Sequence, residues 1–104
     1  MMKRLFPILS AGALVLPTLA LAQDDKEQSC AYQAQVVTAI QEARKDRVRE
    51  RDVAQAIADS EPDWPDNYNN AIPLIAPWVY EQPMKVIRNE DLGAAWLELC
   101  LQQG

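Results

Sequence analysis

Two cysteines are the residues of this chain whose type and spacing point to a definite chemistry. Cys30 and Cys100 are separated by 70 residues. An even pair of cysteines in an exported chain normally oxidises, and closing a loop of this length stabilises the folded state by about 4 kcal/mol in the chain-entropy estimate. A redox-active pair needs two sulfurs close in sequence, as in Cys-x-x-Cys, so this spacing favours a structural disulfide.

The residue types that support catalysis are scarce. The chain has no histidine, which removes the commonest general base and the commonest zinc ligand. Neither Ser29 nor Ser60 stands in a Gly-x-Ser-x-Gly setting, and Gly93 and Gly104 cannot build a phosphate-cradling loop. Paired carboxylates could hydrolyse glycosides without histidine, but so small a helical domain offers little cleft in which to raise one carboxyl pKa. We therefore expect no catalytic residues, no enzymatic activity and no cofactor.

An oxygen-rich segment over residues 63–70 suggests a calcium site. Its oxygen-bearing side chains are Asp63, Asp66, Asn67, Asn69 and Asn70. A calcium-binding EF-hand loop needs oxygen ligands at alternate positions, a glycine at the sixth position and a glutamate at the twelfth, and this spacing is absent here. The sequence therefore predicts no metal site.

Residues 44–52 form the one locally basic region. Its basic members are Arg44, Lys45, Arg47, Arg49 and Arg51, interleaved with three acidic side chains. One interpretation is a solvated helix end with weak exposed ion pairs. The other is an anion patch for a phosphorylated lipid, a glycan or an acidic partner. The interleaved acids favour the first interpretation.

The N-terminus has the three parts of an export signal. Lys3 and Arg4 precede an apolar run over residues 5–16, and Ala-Leu-Ala at residues 20–22 matches the small-x-small pattern that signal peptidase accepts. We therefore predict that residues 1–22 are a signal peptide.

Cleavage would leave residues 23–104 as a single domain in the periplasm or outside the cell. The apolar run is too short for a membrane anchor, and Pro7 and Pro17 interrupt it. No later segment resembles a membrane span. Without Lys3 and Arg4, 8 of the 10 basic residues remain against 15 acidic ones, so the formal net charge becomes −7. This sign argues against nucleic acid as a partner.

Helical periodicity dominates the rest of the chain. A first helix is expected to begin near Gln28, with an apolar stripe at Cys30, Ala34, Val37 and Ile40. A second is expected over residues 50–59, followed by a turn in which Asp63 caps the next helix. A last helix, capped by Asn89, carries Leu92, Trp96, Leu99 and Cys100, with Gly93 indicating close approach to a neighbour. The predicted fold is all-α, a small orthogonal or bundle-like arrangement of about four helices closed by one disulfide.

The most apolar segment after residue 22 is residues 71–80, where Pro73 and Pro77 predict a kinked helix or two short ones. One interpretation makes this segment the centre of the core. The other leaves part of it exposed as a rigid aromatic surface for a protein partner. The candidate partner-binding residues are Trp64, Tyr68, Trp78 and Tyr80.

These features favour a small exported accessory protein that acts by binding another protein. The partner itself is not identified by the sequence. An alternative function is that of an acid- or envelope-stress chaperone, because 15 acidic residues and no histidine would reverse the net charge on acidification below about pH 4–5. A third is inhibition of an exported enzyme.

Overall fold

The fold is entirely helical in the part of the chain that the computed structural model describes. That part comprises the backbone of residues 5–103 and the side chains of residues 25–103. The α-helices are α1 (Leu5–Lys45), α2 (Val53–Asp59), α3 (Ile72–Glu81), α4 (Met84–Asn89) and α5 (Leu92–Gln102), with 3-10 helices at Glu50–Asp52 and Asp66–Ala71. The predicted all-α arrangement closed by one disulfide is confirmed.

The first helix is longer than its apolar stripe predicted. It begins at Leu5 rather than near Gln28 and runs through the predicted signal segment, of which Lys3 and Arg4 lie outside the described residues. Residues 18–45 contain no proline or glycine, so nothing in the local sequence ends the helix before its C-terminus. None of the helices within residues 5–103 combines the length and apolarity needed to cross a bilayer.

The C-terminus of α1 is closed by a Schellman motif. The Val48 N–H donates to the Ala43 carbonyl at 3.0 Å, and the Arg47 N–H donates to the Arg44 carbonyl at 3.1 Å. Arg47 has a φ of 65°, in the left-handed region where glycine is usual because its lack of a Cβ avoids a clash with the next carbonyl. An arginine at this position costs about 1 kcal/mol of backbone strain.

The fifth helix packs antiparallel against α1 and is bonded to it covalently. Cys30 of α1 and Cys100 of α5 form the predicted disulfide, with their Cα atoms 5.7 Å apart. At its opposite end, the N–H of Leu92 donates to the side chain of Gln41. The segment between the two cysteines contains α2, α3 and α4, so the disulfide closes one loop that includes all three helices.

Close contact between α5 and α1 depends on Gly93. A Cβ at this position would lie 2.9 Å from the Ala34 carbonyl oxygen and would also clash with Thr38. The backbone oxygen cannot rotate away, so a larger side chain would push the two helices apart. The predicted close approach is therefore confirmed.

The third helix runs parallel to α1 on another face. Tyr68, just before α3, donates a hydrogen bond to the Ser29 hydroxyl, and Tyr80 near its end donates to the Val48 carbonyl. The core lies between these helices and the shorter α2 and α4. Its most deeply buried side chains are Val36, Val37, Ile40, Val53, Ile72, Val79 and Ile87.

The two prolines of the apolar segment are accommodated in one helix. Pro73 occupies the first turn of α3, where a backbone N–H has no helical partner in any case, and Pro77 lies inside the helix. The face formed by Ile72, Ile75 and Val79 is buried against α1 and α2. The expectation of helical structure for this segment is therefore confirmed.

Two predicted helix caps are wrong. Asn89 is the last residue of α4, and Asp91 caps α5 by accepting a 2.9 Å hydrogen bond from the Ala94 N–H. Asp63 caps no helix, because the segment after it forms a 3-10 helix preceded by Pro65 with no side-chain cap. At α5 the chain offers two neighbouring residues of similar capping ability, Asn89 and Asp91, and Asp91 is the one that caps the helix.

Candidate functional site

Two of the four predicted partner-binding residues, Trp64 and Tyr68, are held by hydrogen bonds within the fold. Trp64 belongs to the core, with 7% of its surface exposed, and its indole N–H donates a 2.7 Å hydrogen bond to the Asn69 side chain. Tyr68 is half-buried, its ring 5.2 Å from that of Tyr32 and its hydroxyl bonded to Ser29. The bulk of Trp64 is thus withdrawn from any contact with a partner.

Trp78 bridges two helices of the fold. Its ring centroid lies 5.8 Å from that of Trp96, so the pair joins α3 to α5. The Trp96 indole N–H in turn donates to the Gln33 side chain of α1 at 3.1 Å. Both tryptophans are half-buried, so each retains an accessible edge.

Tyr80 contacts the C-terminal end of α1, whereas Tyr68 contacts α1 at Ser29 and Trp78 contacts α5. Its hydroxyl donates a 2.6 Å hydrogen bond to the Val48 carbonyl, and the Arg44 guanidinium lies 5.2 Å from its ring centroid. Burial raises the pKa of Tyr80 above its usual range, the positive charge of Arg44 opposes that rise, and Glu50 adds to it. The four predicted residues therefore do not form one continuous face.

An exposed apolar surface does occur on α3, at residues that the sequence reading did not select. Leu74 is 80% exposed, and Pro73 and Pro77 are exposed beside it on the same side of the helix. We refer to these three residues as the α3 edge. The exposure of Leu74 was predictable from the sequence, because Leu74 lies outside the helical stripe defined by Ile72, Ile75 and Val79. It was missed because the whole segment is apolar.

A second surface is a cleft of about 530 Å³ between the C-terminus of α1 and α4. We call it the arginine cleft. Its charged and aromatic lining residues are Arg44, Arg47, Arg49, Arg88, Glu50 and Tyr80. Three of the arginines come from the predicted basic region, and Arg88 comes from α4. The sequence reading missed Arg88, since its approach to residues about 40 positions earlier depends on the packing of α4.

The arginine cleft is only partly neutralised by its own side chains. The ion pairs found among residues 25–103 are Lys45 with Glu42 and Arg49 with Asp52. The Arg44 Nε is buried with no hydrogen-bond partner. Within the same residues, no three His, Cys, Asp or Glu side chains converge as a metal site would require.

Comparisons with protein-family models, with curated proteins and with solved structures gave no match for this chain.

Proposed function

We propose that this chain is an exported, non-enzymatic accessory protein that binds another protein of the cell envelope through the α3 edge. The sequence supports export through the basic start, apolar run and Ala-Leu-Ala site within residues 1–22. The Cys30–Cys100 disulfide is consistent with an oxidising compartment. The lack of histidine argues against most hydrolytic mechanisms.

The observation that carries the proposal is the exposure of Leu74. Fully burying a leucine side chain is worth about 1.5–3 kcal/mol, and at 80% exposure nearly all of that free energy is available to an intermolecular contact. Pro73 and Pro77 restrict the backbone beside it, so little conformational entropy is lost when a partner binds. Glu81 is the last residue of α3, and acidic residues outnumber basic ones 15 to 10 over the chain. The expected partner therefore offers an apolar recess with basic residues at its rim.

Site-specific photo-cross-linking tests this proposal. We expect a photoreactive residue at position 74 to cross-link one envelope protein in the native host, while the same residue at Leu99 does not. Leu99 is a matched control, because it is also an exposed leucine, at 57%, but lies on α5. The Leu74→Ser protein should bind the identified partner at least about tenfold more weakly, and Leu99→Ser should bind it normally.

Three results would contradict the proposal. One is equal cross-linking from positions 74 and 99, which would indicate nonspecific apolar contact. Another is cross-linking of position 74 only to a second copy of this chain. The third is unchanged affinity of the Leu74→Ser protein for the cross-linked partner.

A further inference from the structure

We propose that the arginine cleft binds a phosphate group carried by a small soluble phosphate ester. Four arginines from α1, the following connection and α4 line this cleft, and Glu50 is the single acidic residue among its lining residues. Arg49 is engaged by Asp52 at 3.2 Å, whereas Arg44, Arg47 and Arg88 form no ion pair within residues 25–103. A region of local positive charge is thus maintained in a chain whose formal net charge is −5. This site is separate from the α3 edge and does not depend on the proposed protein partner.

Arg44 lines the cleft and carries one hydrogen-bond donor that has no partner among the described residues. Its Nε–H is buried and has no hydrogen-bond partner, which is unfavourable for a charged donor. The guanidinium is held over the Tyr80 ring at 5.2 Å, and the Tyr80 hydroxyl is itself fixed on the Val48 carbonyl. The Arg44 side chain is therefore held in place beside the cleft that it lines.

Arg47 supports the same conclusion from the backbone. It occupies the left-handed position of the Schellman motif, where glycine would avoid the strain. Backbone strain of this kind persists mostly at positions that have a functional use. Arg47, the residue that carries this strain, also lines the arginine cleft.

The charge and size of the cleft favour a phosphate ester over other anions. Guanidinium groups donate paired hydrogen bonds that match phosphate oxygens, and several free guanidiniums balance a dianion better than a carboxylate. The cleft volume of about 530 Å³ leaves room for an organic group beside the phosphate. Acidic residues outnumber basic ones 15 to 10 over the whole chain, which repels extended polyanions and anionic membranes. A compact soluble ligand avoids that repulsion.

Titration of the oxidised protein with glycerol 3-phosphate, glycerol and acetate tests the site. Calorimetry should show saturable binding of glycerol 3-phosphate, no binding of glycerol and at least about tenfold weaker binding of acetate. In nitrogen-15 spectra, the Arg44 Nε–H resonance should shift on addition of glycerol 3-phosphate. Equal binding of acetate, absence of saturation or an unmoved Arg44 resonance would overturn the proposal.

Substitutions separate binding from folding. Arg47→Gly should raise the urea midpoint, because glycine relieves the left-handed strain, and should weaken glycerol 3-phosphate binding about tenfold. Arg88→Gln should weaken binding to a similar extent. Arg51→Gln is the matched control, since Arg51 belongs to the same basic region but does not line the cleft, and its affinity should stay within about twofold. Equal losses of affinity in all three variants would show that binding depends only on net charge, which would refute a specific site in the cleft.

A vesicle assay distinguishes a soluble ligand from a lipid headgroup. The protein should not sediment with phosphatidylglycerol vesicles any more than with phosphatidylcholine vesicles. Sedimentation with phosphatidylglycerol that Arg47→Gly abolishes, without binding of glycerol 3-phosphate, would contradict a soluble ester as the ligand.

Discussion

The protein in which Cys30 and Cys100 are both replaced by serine should lose about 4 kcal/mol of its free energy of unfolding. The disulfide closes a loop of 70 residues that contains the whole core. Removing it therefore gives the unfolded chain a large gain in conformational entropy. One hydrophobic core in a domain of this size supplies only about 3–5 kcal/mol. We therefore expect the variant to be largely unfolded at physiological temperature.

Urea unfolding followed by far-ultraviolet circular dichroism measures this effect. The urea unfolding curve of wild-type protein in reductant should superimpose on that of the double variant, because both proteins lack the Cys30–Cys100 cross-link. Ala94→Ser is a suitable control, since it places a serine on the exposed side of α5 and should change stability by no more than about 0.5 kcal/mol. A loss below about 1 kcal/mol in the double variant would show that the disulfide is dispensable.

Gln41→Leu should have the second-largest effect, a loss of about 3 kcal/mol. Gln41 is 5% exposed, and its amide group donates to the Ile87 and Glu90 carbonyls at 2.8 and 2.7 Å. Its carbonyl oxygen accepts from the Leu92 N–H at 3.1 Å. Leucine has a similar size but leaves these three backbone groups without partners at the junction of α4 and α5.

Urea unfolding at neutral pH measures the loss, and Gln35→Leu, at an exposed position on the same helix, is the control. Gln41→Glu gives an independent check. Its carboxylate would face two carbonyl oxygens, which raises its pKa in the folded state, so the variant should lose stability as pH rises through that pKa and recover part of it on acidification. If the Gln41→Leu protein were as stable as Gln35→Leu, the Gln41 hydrogen bonds would not stabilise the junction of α4 and α5.

Local patterns in the sequence predicted the all-α class, the disulfide and one close helix contact, but not the start of α1 or the two helix caps. The pairing of Cys30 with Cys100 followed from cysteine number and export context, and the helical spacing of Val37 and Ile40 identified the buried face of α1. The close approach at Gly93 was also predictable, because an unneeded glycine inside a helix is costly unless a neighbour requires it.

The binding surfaces were less predictable because they depend on tertiary placement. Arg88 joins the arginine cleft only because α4 packs beside the C-terminus of α1. Trp64, which stands between two prolines, was predicted to bind a partner, but its side chain is buried in the core. Asn89 and Asp91 are comparable caps in isolation, and the bond from Gln41 to the Glu90 carbonyl fixes the chain between them.

We propose that this chain is exported, cleaved after Ala22 and closed by oxidation of Cys30 and Cys100. Intact-mass and peptide mass spectrometry of the protein isolated from its native host tests that claim most directly. We expect a chain that begins at Gln23 and a linked pair of peptides containing Cys30 and Cys100. Retention of residues 1–22, or recovery of both cysteines as free thiols, would contradict it.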